Sequence, residues 1–274
     1  MTLGFSLDTV DPPSYSTIFE GFNAHLWAPN SGRLLWMTQP AWPSNYWQIL
    51  SSDYDTQASY YGVMKAAEPV HVQLNLPGFD IAVINNTQKP LSGLRLRVRV
   101  LSTHNDTLVD REETVTAPAA GLTPVTDPAL DIAKQVASGL VFVKLELRNT
   151  AGVLLSDNFY WEGKDPASYK VLNDIGAVAL QGKATLQQDP SGEHTVHLVL
   201  HNTGATIALE TKLTLQNATD GTRILPAYYT DNYISLLPDE SRDIEITYPA
   251  EVAGEVQVAL RGWNLTPAII AIAR

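Results

Sequence analysis

The chain has no cysteine among its 274 residues. Disulfide bonds and thiolate chemistry are therefore excluded, and so is a small scaffold held together by disulfides. Basic residues are scarce as well: 18 lysines and arginines stand against 29 aspartates and glutamates, which gives a net charge of −11. An acidic surface repels phosphate backbones, so we expect no nucleic acid partner.

Long apolar runs are also missing. No stretch approaches the roughly 20 apolar residues that cross a bilayer, and the opening MTLGFSLDTVDPP has no basic start followed by an apolar run. We therefore expect a soluble chain with no signal peptide and no membrane partner. The compartment stays open, because a secreted bacterial protein can also lack cysteine. Apolar residues make up 45% of the sequence, an ordinary globular composition, and the length allows two domains.

Residues 1–66 differ in pattern from the rest of the chain. Ser16 or Thr17, followed by Glu20, predicts a capping box at the start of a helix that runs to about Leu26. Residues 33–37, Arg-Leu-Leu-Trp-Met, then predict a fully buried strand of the parallel type. An aromatic loop follows. This order is typical of the end of a βα-barrel.

From about residue 67 the sequence changes to short strands separated by turn signals. In 94–100, Leu-Arg-Leu-Arg-Val-Arg-Val, arginines take every second place, as in an antiparallel sandwich strand with one face in water. Strand spacing predicts an immunoglobulin-like sandwich over 67–164 and a second one over 165–274, with a linker near Gly163 to Pro166. The predicted fold class is therefore mainly β: two immunoglobulin-like β-sandwich domains preceded by a short α/β remnant of a barrel. The two halves show no sequence repeat.

The histidines are the first candidates for chemistry. His197 and His201 lie four residues apart on one strand face, with His194 nearby, but a zinc site needs a further ligand. We expect a polar sandwich face there, and structural roles for His25 and His71. Serine nucleophile motifs and glycine-rich phosphate loops are absent from the sequence. We therefore expect no metal and no cofactor.

The aromatic cluster after the predicted barrel strand is the second candidate. Trp36, Trp42, Tyr46 and Trp47 lie within twelve residues, and sugar rings stack on the faces of such side chains through their C–H edges. The alternative is that these rings fill the joint between domains. We favour the joint for Trp42 and Trp47.

Three stretches resemble the end of the catalytic barrel in glycoside hydrolase family 2, and within it the β-mannosidase, endo-β-mannosidase and exo-β-glucosaminidase branch. They are 18–27 (IFEGFNAHLW), 32–44 (GRLLWMTQPAWPS) and 61–73 (YGVMKAAEPVHVQ). Two further stretches, 157–161 (DNFYW) and 225–238 (LPAYYTDNYISLLP), resemble the two sandwich domains that follow the barrel in that family.

The resemblance implies a retaining hydrolase with two barrel glutamates, an acid/base and a nucleophile, about 5–5.5 Å apart. In the family both lie on earlier barrel strands. Before residue 60 this sequence offers only five carboxylates, and none matches either motif: Asp8, Asp11, Glu20, Asp53 and Asp55. We therefore expect no catalytic residue here and no activity from the chain alone.

The resemblance carries over one substrate-binding residue. In the family, the tryptophan at the end of the last barrel strand floors the sugar subsite, and the matching position is Trp36. Trp42 is a weaker substrate-binding candidate.

Three functions compete on the sequence alone. The first is a glycosidase segment that braces a barrel and carries Trp36 into its site, with carbohydrate as partner through the parent enzyme. The second is a free-standing carbohydrate-binding module, and the third is an immunoglobulin-like adhesion protein. Under the first, we expect Trp42, Trp47 and Tyr54 to dock on the 67–162 sandwich. Residues 19–36 would seek the rest of the barrel or a second copy of the chain.

Overall fold

The computed structural model describes residues 16–27, 29–43, 48–127, 130–188, 192–252 and 254–273. By contact the chain divides into two compact units. Of the described residues, the first unit contains 16–35 and 62–175, and the second contains 36–61 and 176–273. Strands dominate both units, which confirms the mainly β fold class. The predicted division at 66/67 and 164/165 stays a prediction, since contacts group 16–35 with the first sandwich and 36–61 with the second.

The helices are short. They comprise α1 over 16–23, α2 (Ala58–Ala66), α3 (Ile132–Ser138) and a 3-10 helix (Ser168–Asp174). The predicted first helix is thus confirmed. Asp131 caps α3 by accepting a hydrogen bond from the backbone N–H of Lys134, at 3.0 Å. Within the described ranges, no helix has the length and apolar character that crossing a membrane requires.

The first unit is a sandwich of a three-stranded sheet, ordered β1-β2-β5, and a four-stranded sheet, ordered β4-β3-β6-β7. All of its strand pairs are antiparallel. The strands are β1 (Val70–Asn75), β2 (Asp80–Asn85), β3 (Leu91–Ser102), β4 (Thr107–Ala117), β5 (Gly121–Val125), β6 (Val141–Arg148) and β7 (Leu154–Glu162).

The alternation read from the sequence of β3 decides which residues form the core of this sandwich. Leu94, Leu96, Val98 and Val100 are buried, while the intervening arginines point away from the core. Arg97 forms two hydrogen bonds with Asp110 on β4, at 2.9 and 2.8 Å. The predicted antiparallel sandwich strand is confirmed.

The second unit has eight strands in the order β11-β13-β9-β8-β15-β14-β10-β12. β15 joins two groups of strands, because it pairs parallel with β8 and antiparallel with β14. At Gly182 on β8 an added Cβ would lie 2.0 Å from Ile270 Cδ1, so any larger residue there would require the Ile270 side chain to move. The strands are β8 (Gln181–Gln188), β9 (Glu193–His201), β10 (Ala208–Asn217), β11 (Tyr228–Tyr229), β12 (Ile234–Leu236), β13 (Ser241–Pro249), β14 (Val256–Arg261) and β15 (Ala268–Ala273).

The prediction of a buried parallel strand over 33–37 is wrong for this structure. No β-ladder among the described residues includes that segment, and Leu34 is fully exposed. A strand buried on both faces needs neighbouring strands and covering helices. In the described part of the chain, no strand pairs with residues 33–37.

Candidate functional site

The segment around Trp36 alternates in exposure along the chain. Leu34 is fully exposed and Trp36 is 80% exposed, whereas Arg33 and Leu35 are partly buried. Such alternation has the period of an extended strand with one face turned to solvent. Trp36, the substrate-binding candidate, is therefore turned to solvent and does not lie in a core.

Arg33 anchors this segment to the first unit. Its Nη1 donates to the carbonyl oxygen of Phe19 at 3.1 Å and to Asn23 Oδ1 at 2.6 Å, and its Nη2 donates to the carbonyl oxygen of Ala66 at 3.3 Å. The guanidinium also lies 4.6 Å from the centre of the Phe19 ring. Burial lowers the pKa of Arg33. Two backbone carbonyls and one side chain, on α1 and at the end of α2, thus hold the residue that precedes Leu34.

Large apolar side chains remain exposed in both units near this segment of the sequence. The Trp27 indole is half exposed even though its Nε1 donates to the carbonyl oxygen of Ala120 at 2.6 Å. Phe19, in contrast, is buried, so only part of the predicted partner-seeking face is available. The exposed members are Ile18, Phe22, Trp27 and Leu34 in the first unit and Trp36, Met37 and Trp42 in the second.

The Trp42 side chain is 66% exposed, and its joint-filling role stays a prediction. Trp42 therefore keeps its weaker candidacy for sugar contact. Tyr46 and Trp47 lie outside the described residues.

The predicted docking of Trp42 and Tyr54 on the 67–162 sandwich is wrong, and that of Trp47 falls outside the described residues. Residues 48–57 belong to the second unit, where Arg223 Nη1 donates to Asp55 at 2.8 Å and its Nη2 donates to Asp53 at 2.7 Å. Although burial acts in the opposite direction, the Ser51 hydroxyl and Arg223 hold the pKa of Asp53 below its usual value. Charge pairing thus fixes the segment, and Tyr54 stays exposed.

The predicted capping box at α1 does not form. Ser16 Oγ donates to the carbonyl oxygen of Gly62 at 3.2 Å. Glu20 is buried, and its Oε1 lies 3.1 Å from Nε2 of the fully buried His71. Glu20 therefore pairs with His71 instead of capping the helix, and the structural role expected for His71 is confirmed. A carboxylate enclosed in this way cannot reach a substrate.

The histidines of β9 form the expected polar face. His197 Nε2 lies 3.0 Å from Gln187 Oε1, and its Nδ1 lies 3.3 Å from Glu245. His201 Nδ1 lies 2.9 Å from Ser241 Oγ. Among the described residues, no group of three or more histidines and carboxylates is placed to hold a metal ion.

A groove of about 590 Å³ opens on the second unit over β10, β14 and β15. Its size falls within the usual range of ligand sites. Its lining is small, polar, cationic and aliphatic, without an aromatic ring among the described residues that form it: Thr214, Gln216, Arg223, Ala259, Leu260, Arg261, Pro267, Ala268 and Ile269. The groove therefore offers no platform for stacking a sugar.

Family models match both sandwiches. Residues 78–164 match the mannosidase Ig/CBM-like domain, and residues 158–265 match the exo-β-D-glucosaminidase Ig-fold domain. The sequence is 30% identical to the exo-β-D-glucosaminidase of Streptomyces avermitilis over 86% of this chain and 28% of that protein. It is 27% identical to the mannosylglycoprotein endo-β-mannosidase of Lilium longiflorum over 91% of this chain and 32% of that protein.

Solved structures show the same fold. The exo-chitosanase CsxA of Amycolatopsis orientalis, solved in complex with PNP-β-D-glucosamine, superimposes with a TM-score of 0.87 at 23% identity, over 96% of this chain and 34% of that one. The β-D-mannosidase of Dictyoglomus thermophilum gives a TM-score of 0.70 at 16% identity, over 94% and 29%. The chain thus spans about three-tenths of the length of the relatives it matches. Its two sandwiches, in this order, show that the chain carries the immunoglobulin-like portion of the β-mannosidase and exo-β-glucosaminidase branch of glycoside hydrolase family 2.

Proposed function

We propose that this chain is the C-terminal portion of a retaining β-glycosidase of the mannosidase or glucosaminidase type. Its role is to brace the catalytic barrel and to present Trp36 to the bound sugar. The observation that carries the proposal is the exposure of the Leu34 and Trp36 side chains, in a segment that belongs to no strand and follows an anchored Arg33. The order of the two family domains and the names of the relatives support it.

Exposure at this level calls for a partner. Burying a large apolar side chain stabilises a protein by about 1.5–3 kcal/mol, and contiguous apolar surface usually marks an interaction site. The backbone N–H and C=O groups of a segment that belongs to no β-sheet can also form hydrogen bonds with a neighbouring strand. The remaining strands of a βα-barrel supply both kinds of contact, so the barrel is the partner we propose. A second copy of the chain is the alternative.

The carboxylates of the chain favour a supporting role over a catalytic one. Glu20 is enclosed by His71, and Asp53 and Asp55 share Arg223. We expect the chain alone to hydrolyse aryl β-mannoside, β-glucosaminide and β-galactoside no faster than buffer. Turnover by a preparation free of host glycosidase would contradict the supporting role.

The substrate role of Trp36 is tested in the enzyme that contains the barrel. We expect Trp36→Ala to lower kcat/KM by about 10- to 100-fold, because the sugar loses its stacking face while the fold is kept. Tyr228→Ala, at an exposed tyrosine of the second unit, is the matched control and should leave kcat/KM unchanged. Equal activity of the two variants, or coding sequence before Met1 without βα repeats and two strand-end glutamates, would contradict the proposal.

A further inference from the structure

The motif at 157–161 has a structural task that its sequence does not reveal. Ser156, Asn158 and Tyr160 project from alternate positions of β7, on the side of the strand that meets β1. Ser156 Oγ accepts a hydrogen bond from the N–H of Val72 at 3.2 Å, and Tyr160 OH accepts one from the N–H of Leu74 at 3.1 Å. Asn158 Nδ2 donates to the carbonyl oxygen of Val72 at 3.0 Å.

β1 and β7 are edge strands of the two sheets in the first sandwich. An edge strand exposes backbone groups that would otherwise pair with a further strand. Here side chains of β7 take the place of that missing ladder. The edge of the three-stranded sheet is therefore closed by side chains and not by a strand.

Glu20 on α1 binds two of these side chains, Asn158 and Tyr160. Its Oε1 accepts hydrogen bonds from Asn158 Nδ2 and from Tyr160 OH, both at 2.8 Å, and lies 3.1 Å from His71 Nε2. The carbonyl oxygen of Glu20 also accepts a hydrogen bond from Gln73 Nε2 at 2.8 Å. One residue of α1 thus joins β1 and β7 at a position that is almost fully buried.

Both ring nitrogens of His71 face carboxylates. Nε2 faces Glu20, and Nδ1 lies 3.2 Å from Glu68 Oε2. A neutral imidazole donates from one nitrogen only, whereas an ionised carboxylate only accepts, so both contacts are hydrogen bonds only when the ring is an imidazolium. Although burial alone would lower it, the bonds to Glu20 and Glu68 raise the pKa of His71 above its usual value.

We propose that Glu20 and a protonated His71 form a latch that locks α1 over the edge between β1 and β7. α1 also supplies Phe19 and Asn23 to Arg33, so the latch is a positioning device for the segment that leads to Leu34. The importance of the latch for a barrel partner rests on the proposed function. The evidence for the latch itself is independent of that function.

Among the described residues, further charged groups lie around the latch on α2 and β7. Lys65 on α2 pairs with Glu68 at 3.3 Å and with Asp157 at 2.7 Å. At the end of β7, burial and the charge of Glu20 raise the pKa of Glu162 to about 7. The groups that face His71 or its carboxylates are Glu20, Lys65, Glu68, Ser156, Asp157, Asn158, Tyr160 and Glu162.

Hydrogen exchange on the whole chain tests the latch. We expect His71→Gln to speed exchange of the amides in 16–27 by at least about tenfold, because the buried Glu20 and the partly buried Glu68 lose their shared cation. The amides of β3 and β6 should keep their rates. His197→Gln, at a partly buried histidine of the second unit, is the matched control. Unchanged exchange in 16–27 would overturn the proposal, and so would equal acceleration throughout the unit.

Two further measurements separate a charged latch from ordinary packing. The double variant Glu20→Gln with His71→Gln should exchange more slowly in 16–27 than His71→Gln alone, because one unpaired buried charge has been removed. In the unmodified chain, the 15N shifts of the His71 ring should report an imidazolium at pH 7.5, a measurement that stands even if His71→Gln fails to fold. A neutral ring, or additive effects of the two substitutions, would overturn the latch whatever activity Trp36→Ala shows.

Discussion

Single residues decide how the start of the chain is held, and Arg33 is the clearest case. Its planar fork serves the carbonyl oxygens of Phe19 and Ala66 and the side chain of Asn23 together. A lysine has one point charge and cannot span three acceptors in different directions. We expect Arg33→Lys to destabilise the attachment of α1 by about 1–3 kcal/mol.

Hydrogen exchange in 16–27 measures that loss. Arg97→Lys is the control, because Arg97 pairs with Asp110 at a position where both side chains are largely exposed. Exposed ion pairs contribute only about 0–1 kcal/mol. If the Arg33→Lys and Arg97→Lys variants exchange alike in 16–27, Arg33 does not hold α1 in place.

Glu210 is a buried carboxyl of another kind. It lies at a bulge in β10 with φ of +50°, and its Oε2 is enclosed without a hydrogen-bond partner among the described residues. Burial raises the pKa of Glu210 to about 8. Between pH about 4.5 and about 8 the folded chain therefore binds more protons than the unfolded chain, so its stability falls as the pH rises.

Glu210→Gln removes this group's titration. We expect the variant to lose less stability than the parent between pH 5 and pH 8.5, by on the order of 1–3 kcal/mol, as measured by urea unfolding. Glu193→Gln changes an exposed glutamate of the same unit and should leave the pH dependence as it is. Parallel pH profiles for Glu210→Gln and the parent would show that the carboxyl is ionised at neutral pH.

Among the strands, the sequence predicts those in which the apolar residues are buried and the polar residues are exposed. β3 alternates strictly, so its core residues could be read directly. β4 is an edge strand whose central residues are mostly exposed and charged, which hides the period of two. In β7 the polar side chains of Ser156 and Asn158 turn to β1, so their burial contradicts the usual hydrophobic pattern. Only the folded sandwich shows why they are there.

The candidate site could be predicted only in part, because a sequence pattern does not show which residues pack against each other. Trp36 was identified through its motif, and the structure leaves its side chain exposed in a segment that belongs to no strand. Its burial was predicted from an apolar run alone, and such a run does not show which neighbours are present. The role of Glu20 depended on His71, which lies 51 residues away and could not be inferred from helix capping rules.

The segment at 48–57 owes its place to Arg223, which lies in the loop after β10. We expect Arg223→Ala to raise hydrogen exchange in 50–57 by about two- to fivefold, which corresponds to the roughly 0.5–1 kcal/mol of a partly exposed ion pair. Lys183→Ala, at an exposed lysine of β8, is the control. If only the control or neither variant alters exchange, the ion pairs do not hold the segment.

At the scale of the whole molecule, the chain is an acidic pair of units that leaves large apolar side chains in solvent. We expect the chain alone to bind a hydrophobic dye and to associate reversibly, because water around these side chains is unfavourable. The variant Leu34→Ser with Trp36→Ser should bind less dye and sediment closer to a monomer. Val199→Ser, at an exposed valine of β9, should behave as the parent. Identical sedimentation and dye binding by all three would contradict an interaction role for residues 34–36.

The side-chain closure of β1 also has a bearing on where this chain can be cut. A fragment that begins at residue 67 retains Ser156, Asn158 and Tyr160 but loses Glu20, which orients the latter two. The backbone of β1 would then be open to strands from other molecules, the usual route to aggregation of β-proteins. Residues 16–35 thus protect the edge of the first sandwich. A fragment that begins at the first strand would lose this protection and become prone to aggregation.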